Sequence, residues 1–167
     1  RARGRRRRMC IRDRDFSREP LDPNSLLPDP FDQFEAGFGQ ACAKNLPAPN
    51  AMSLATASAD GLPTVRTVLL KVYDRDGFVF FTNYGSRKAQ QIAENPRVSL
   101  LFRWFSMGRQ VTITGIAQRI PTAASLRYFR SRSRGSQLGA WTSHQSTVIS
   151  SREVIDKIMA RMKQKFT

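Results

Sequence analysis

Two cations stand where helices ordinarily avoid them. In FFTNYGSRKAQQIAENP, residues 80–96, an apolar strand-like run meets a turn, and Ser86-Arg87-Lys88 then opens a helix-forming stretch. A helix N-terminus already carries partial positive charge, so cations there are mildly unfavourable. They make sense beside an anion, because unpaired N–H groups favour a phosphate and Arg and Lys add charge-assisted contacts. The plain alternative is a solvated helix start.

Other polar residues have the same double meaning. In RTVLLK, Arg66 and Lys71 are five positions apart, so a regular strand turns them to opposite faces. Gln110, at the head of RQVTITG, has an amide suited to the edge of a heteroaromatic ring. Tyr128, Arg132 and Ser136 recur at i, i+4 and i+8, one helical face if the helix persists, although Gly135 argues that it does not. Together they suit a second phosphate, or a basic surface facing RNA. Gln145 and Ser146 add uncharged hydrogen-bonding groups. With one histidine, His144, and two distant cysteines, Cys10 and Cys42, no metal-ligand spacing exists and no metal is expected. The cysteines read as free thiols in a reducing compartment.

The elements that must position these residues are legible. Residues 1–28 are polar and non-periodic and read as a basic N-terminal arm; residues 29–167 read as one domain. Asp29 is an N-cap with Pro30 at the first helical position. Phe31, Phe34, Phe38 and Ala41 then form an apolar stripe, while Gly37 and Gly39 leave the helix end open. Strands are predicted over 51–58, 62–74, 78–83, 97–105 and 109–120, the first three joined by Asp-Gly turns. Helices are predicted over 86–94, stopped by Asn95-Pro96, and from Pro121 or Thr122. A last helix carries a Ser150/Glu153 capping box and an apolar face of Val154, Ile155, Ile158, Met159 and Met162. The fold class is α+β and β-rich: a closed or half-closed barrel with peripheral helices.

The chain has 167 residues, 40% of them hydrophobic and 11 of them Phe, a globular composition. Net charge is +15, and residues 1–14 supply +7 of it through eight Arg against one Asp. Such a tail fits a solvated extension, a nucleic-acid contact or part of an organellar transit peptide. No apolar run is long enough to span a bilayer. GxGxxG and GxxxxGK[ST] are both missing, so neither a Rossmann nor a P-loop reading has support.

In combination the motifs say more. RTVLLK, FFTNYGSRK, NPRVSLLFRW, RQVTITG, YFRSRSRGSQLGAWTSHQS and VIS occur in this order and spacing. Together they closely resemble the pyridoxamine 5′-phosphate oxidase family, from about Pro28 to Phe166, with a weaker echo at RDFSREPL. The resemblance implies an FMN-binding split β-barrel working as a homodimer, with FMN in clefts between subunits. Arg66, Thr67, Val68, Leu69, Leu70 and Lys71 would line the flavin, with Phe81 and Thr82. Arg87 and Lys88 would bind its phosphate, Gln110 would address the isoalloxazine, and Gln145 with Ser146 would complete the site from the partner subunit. Lys71, Tyr128, Arg132 and Ser136 match the positions that hold the substrate phosphate.

The implied reaction is oxidation of pyridoxamine or pyridoxine 5′-phosphate to pyridoxal 5′-phosphate in vitamin B6 salvage. Hydride leaves the substrate C4′ carbon for flavin N5, and O2 reoxidises the flavin to give hydrogen peroxide. No membrane or nucleic-acid partner is implied, and the expected compartment is the cytoplasm. Family members continue beyond Thr167 with a Trp-Gly-Gly strand, a WQG and an Arg-x-His-x-Arg motif, so no catalytic side chain is assignable within 1–167. A fragment, a separate second chain or a degenerate paralogue each fits that departure. Ser133 stands where the family usually has Pro, and Phe16 where Tyr is usual. Two alternatives remain: a non-catalytic FMN- or pyridoxal-phosphate-binding paralogue, and an RNA-associated basic module.

Overall fold

A computed structural model of the chain describes residues 21–142, 145–146 and 151–165. The Arg-rich stretch, Cys10, Phe16, His144 and the Ser150 end of the capping box lie outside the described residues.

Helix α1, Pro30–Ala43, begins as the sequence predicts. The Asp29 carboxylate accepts from the N–H groups of Phe31 at 2.7 Å and Asp32 at 3.2 Å. Arg75 clamps this cap from outside, donating to Asp29 and, at 2.6 Å, to Asp32. The Asp32 N–H and the Arg75 guanidinium hold the Asp29 carboxyl below its ordinary pKa. The helix runs through both glycines, and Gly37 shows why: a Cβ there would meet Trp104 Cζ3 at 3.0 Å. The missing side chain lets helix and indole approach closely.

Five strands follow: β1 Ala51–Ala57, β2 Pro63–Asp74, β3 Gly77–Phe80, β4 Arg97–Trp104 and β5 Arg109–Ile116. All pairings are antiparallel, in the order β3-β2-β1-β4-β5, so the sheet is a half-barrel with β3 and β5 at its edges. The expectation of five strands holds; β1 and β4 end one residue early, and two others stop well short, as Phe81–Asn83 leave β3 and residues 117–120 leave β5. Asp74 makes the second hairpin, accepting from the N–H groups of Asp76 and Gly77, and Gly77 takes φ 145°.

The sheet's inner face and α1 form the core. Phe34, 3% exposed, meets Tyr73, Phe78 and Phe102 edge-on with ring centroids 4.9–5.1 Å apart. A site so enclosed makes Phe34→Ala cost about 3–5 kcal/mol. Helix α2, Arg87–Glu94, connects β3 to β4. Helices α3, Thr122–Ser131, and α4, Arg134–Thr142, follow β5, and α5, Arg152–Lys165, packs on α4 with Val154 and Ile155 still partly exposed. No helix among the described residues is long and apolar enough to cross a membrane.

Candidate functional site

Strand β2 divides the site. Thr64, Arg66, Val68 and Leu70 turn inward, while Val65, Thr67, Leu69 and Lys71 turn outward, as the odd spacing of Arg66 and Lys71 requires. A register shift between Leu70 and Val72 then leaves Lys71 and Val72 both exposed and returns Tyr73 to the core face. Val68 and Leu70 are core side chains, 9% and 4% exposed, so neither can line a ligand with its side chain. The RTVLLK stretch has something else to offer. β3 pairs only with Leu70–Asp74, whereas β1 pairs with Pro63–Leu69. From Thr64 to Leu69 the main chain therefore has one edge with no described strand beside it.

The first cluster gathers at the N-terminus of α2. Ser86 is fully buried and its hydroxyl donates to Asn83 O at 2.7 Å, which ties the turn down instead of capping the helix. Arg87 N–H donates to Ser146 Oγ at 3.1 Å, and Lys88 Nζ reaches Gln145 Oε1 at 3.0 Å and Ser86 Oγ at 3.2 Å. Gln145 and Ser146 thus meet this chain's own α2. The expectation placed them in a partner's cofactor site; within one protomer, the turn they occupy after α4 lies against the same chain's α2.

Arg66 completes this cluster. Its terminal nitrogens donate to Leu54 O at 3.1 Å, Thr56 Oγ1 at 2.6 Å and Thr64 Oγ1, and Nη2 lies 3.4 Å from Gln91 Oε1. Burial, then the charge of Arg87, lowers the Arg66 pKa; burial, then the charge of Arg66, lowers that of Lys88. Among the described residues no carboxylate pairs with Arg66, Arg87 or Lys88. Three mutually repelling cations at a helix N-terminus, with no counter-ion among the described residues, fit a phosphate dianion. Gln91, buried within this network, carried no local signal in the sequence.

The second cluster centres on Tyr128. Phe81 stacks on its ring at 3.7 Å between centroids, while Lys71 Nζ and the Arg132 guanidinium lie 5.9 and 6.0 Å from the ring centre. Three of the four residues expected at a second phosphate are therefore together. Their helix does break, but not at Gly135, which lies within α4. The break is at Arg132, which is extended, and at Ser133, whose Oγ lies 2.9 Å from Ser136 Oγ. The stretch from Tyr128 to Ser136 thus spans two helices, and Ser136 belongs to the first turn of α4.

A groove of about 1290 Å³ opens between the edge strands. Phe78, Phe80, Leu100 and Ile113 line its apolar side, and Lys71, Thr82 and Tyr128 are also on its wall. Arg66, Arg87 and Lys88 are not. Gln110 is elsewhere again: exposed, on the outer face of β5. The row Val68–Met52–Phe102–Val111 puts three strand spacings between the Leu69 and Gln110 neighbourhoods, roughly 14 Å.

A family model described as pyridoxamine 5′-phosphate oxidase matches residues 38–166. A pyridoxine/pyridoxamine 5′-phosphate oxidase from Crocosphaera subtropica is 58% identical over 152 residues, 91% of this chain and 71% of that protein. One from Aliarcobacter butzleri is 52% identical, covering 90% of this chain and 71% of its own length. Among solved structures, PhzG from Burkholderia lata, in complex with tetrahydrophenazine-1-carboxylic acid, superposes with a TM-score of 0.83 at 25% identity, covering 89% of this chain and 75% of its own. A pyridoxamine 5′-phosphate oxidase-related, FMN binding protein from Nostoc punctiforme shares the fold at a TM-score of 0.60 and 19% identity, over 78% of this chain and 73% of its own. A family model over most of the chain and relatives above 50% identity agree: the chain is a member of the pyridoxamine 5′-phosphate oxidase family.

Proposed function

We propose that the protein oxidises pyridoxamine or pyridoxine 5′-phosphate to pyridoxal 5′-phosphate, using FMN and O2 and releasing hydrogen peroxide, within vitamin B6 salvage. The observation that carries the reading is the pair of cation clusters, one at the α2 N-terminus and one around Tyr128, which suits two phosphorylated ligands. Identity above 50% to proteins named for this activity supports the same assignment.

Arg87, Lys88, Gln145 and Ser146 would hold the FMN phosphate, Arg66 adding charge from behind. The uncovered β2 edge and Phe81 and Thr82 would meet the rest of the cofactor. FMN when bound supplies the hydride acceptor, and the chain supplies binding and orientation. Lys71 and Arg132 would grip the substrate phosphate against Tyr128. A grip remote from the reacting carbon positions that carbon without touching it. Gln110 lies roughly 14 Å along the sheet from the β2 edge of its own chain, and the reading includes a homodimer in which Gln110 faces the partner's cofactor. The reading places this chemistry in the cytoplasm, where the free thiol of Cys42 fits.

The deciding experiment loads purified protein with FMN and supplies pyridoxamine 5′-phosphate in air. Coupled formation of pyridoxal 5′-phosphate and peroxide is expected. Flavin retention without turnover would leave the non-catalytic reading, and failure to quench FMN fluorescence would overturn both.

A further inference from the structure

Gln91 is 3% exposed, on the second turn of α2, and it turns towards β1 and β2. Its Oε1 accepts from the hydroxyls of Thr56 and Thr64, each at 2.6 Å. The same two hydroxyls accept from Arg66, Thr56 from Nη1 and Thr64 from Nη2. Arginine can only donate. Each threonine must therefore send its single hydrogen elsewhere; the two hydroxyls lie 3.2 Å apart, but only one of them could donate to the other, and Gln91 Oε1, 2.6 Å from both, is the nearer acceptor. This bookkeeping of hydrogens fixes the amide: with Nε2 turned inward, donors would face donors. The orientation leaves Nε2 buried without a partner. Leaving a buried donor unpaired is unfavourable, and the oxygen side of the amide is where the compensating contacts are.

Arg66 gains a defined position from this. Both hydrogens on Nη1 are committed, to Leu54 O and Thr56, and both on Nη2, to Thr64 and Gln91. Among the described residues, only Nε–H finds no acceptor. A long side chain beside two like charges would otherwise swing to solvent, away from Arg87 and Lys88. The acceptors contributed by β1, β2 and α2 hold it in place.

We propose that Gln91, acting through Thr56 and Thr64, is a positioning residue for phosphate recognition, fixing the Arg66 guanidinium beside Arg87 and Lys88. The proposal rests on the reading of the α2 N-terminus as the FMN phosphate site. It is tested by titrating FMN and riboflavin, which lacks the phosphate, against the wild type, Gln91→Met, Arg66→Ala and the double variant, following flavin fluorescence. Met keeps the length of the side chain and removes the acceptor. Gln91→Met should weaken FMN by about tenfold, as for loss of one charged hydrogen-bond partner, and leave riboflavin within about twofold. In the Arg66→Ala background the same change should cost nothing further. Equal losses for FMN and riboflavin, or an undiminished cost without Arg66, would overturn the proposal in favour of a general structural role. If Gln91→Met does not fold, Thr64→Val breaks the same relay at a half-buried position and must give the same phosphate-selective loss. Arg87→Ala separates the two levels. Unchanged FMN affinity there defeats the phosphate-site reading itself; lost affinity there with none lost in Gln91→Met defeats only the positioning role.

Discussion

Arg66 and Lys71 leave the same strand on opposite faces, and the surroundings they reach have little in common. Arg66 enters a half-buried polar network in which main-chain, hydroxyl and amide oxygens take up its terminal N–H groups. Lys71 stands exposed on a bulge, opposite an aromatic ring that it shares with Arg132 and Phe81. One cluster is built into the sheet and a helix terminus; the other is laid over the mouth of a groove. The difference matches what each would hold. A cofactor kept through many turnovers gains from fixed donors and pre-oriented charge, since little ordering is left to do on binding. A substrate that must leave again is served by exposed cations around a ring.

The sharpest way to break the comparison is to remove both α2 cations. Arg87→Ala/Lys88→Ala should weaken FMN by about a hundredfold or more, at roughly 1.5–3 kcal/mol for each charged contact, while riboflavin binding stays near wild type. A flavin-quenching titration decides it, and parallel losses for both flavins would mean that the cluster does not read phosphate.

Arg132→Ala should do the reverse. The FMN spectrum should remain intact, while the KM for pyridoxamine 5′-phosphate rises about tenfold for loss of one charged contact. Steady-state kinetics checks this. Loss of FMN at unchanged KM would exchange the two clusters' roles.

A pH titration probes the first cluster alone. Burial and Arg66 lower the Lys88 pKa from its ordinary 10.5, and a bound phosphate would raise it again. The protonated form is the one that binds, so affinity should be full from above the phosphate's own second pKa, about 6, up to the lowered lysine value, and decline as pH rises through that value towards 10.5. A Lys88→Met variant should show a flatter decline in that window, and an identical pH profile would remove Lys88 from the site.

The smallest effect is expected at Ser136. Its hydroxyl is exposed and already bonded to Ser133, so Ser136→Ala should raise the KM only a few-fold, within the range of one neutral hydrogen bond. A rise as large as that of Arg132→Ala would make Ser136 an equal member of the second cluster.

Much of the frame was legible because local rules set it. The Asp29-Pro30 start of α1, the inward alternation of β1 and β2, the Asp-Gly hairpins and the Asn95-Pro96 stop all follow from short-range steric and hydrogen-bonding preferences. The helix break after Tyr128 was foreseen for the wrong reason. Gly135 is tolerated inside α4, and the chain turns at Arg132 and Ser133, where a serine hydroxyl competes with the helix for local hydrogen bonds.

By itself the sequence determined the alternation of β1 and of β2 as far as its bulge, where α1, α2 and α3 begin, and that two cations stand at a helix N-terminus. Steric periods of 2.0 and 3.6 residues are written into any short window of the chain. What only the tertiary structure decided is which of these residues meet. Lys88 and Gln145 are 57 positions apart, Arg87 and Ser146 are 59, and Gln91 reaches Thr56 across 35. Those contacts depend on how α2 lies over the half-barrel and where the turn after α4 returns. Hydrogen-bond reach of about 3 Å is set by that packing and by no local pattern. The same packing spent Val68 and Leu70 on the core, set Gln110 three strands away, and turned an unremarkable glutamine into the acceptor that holds Arg66 in place.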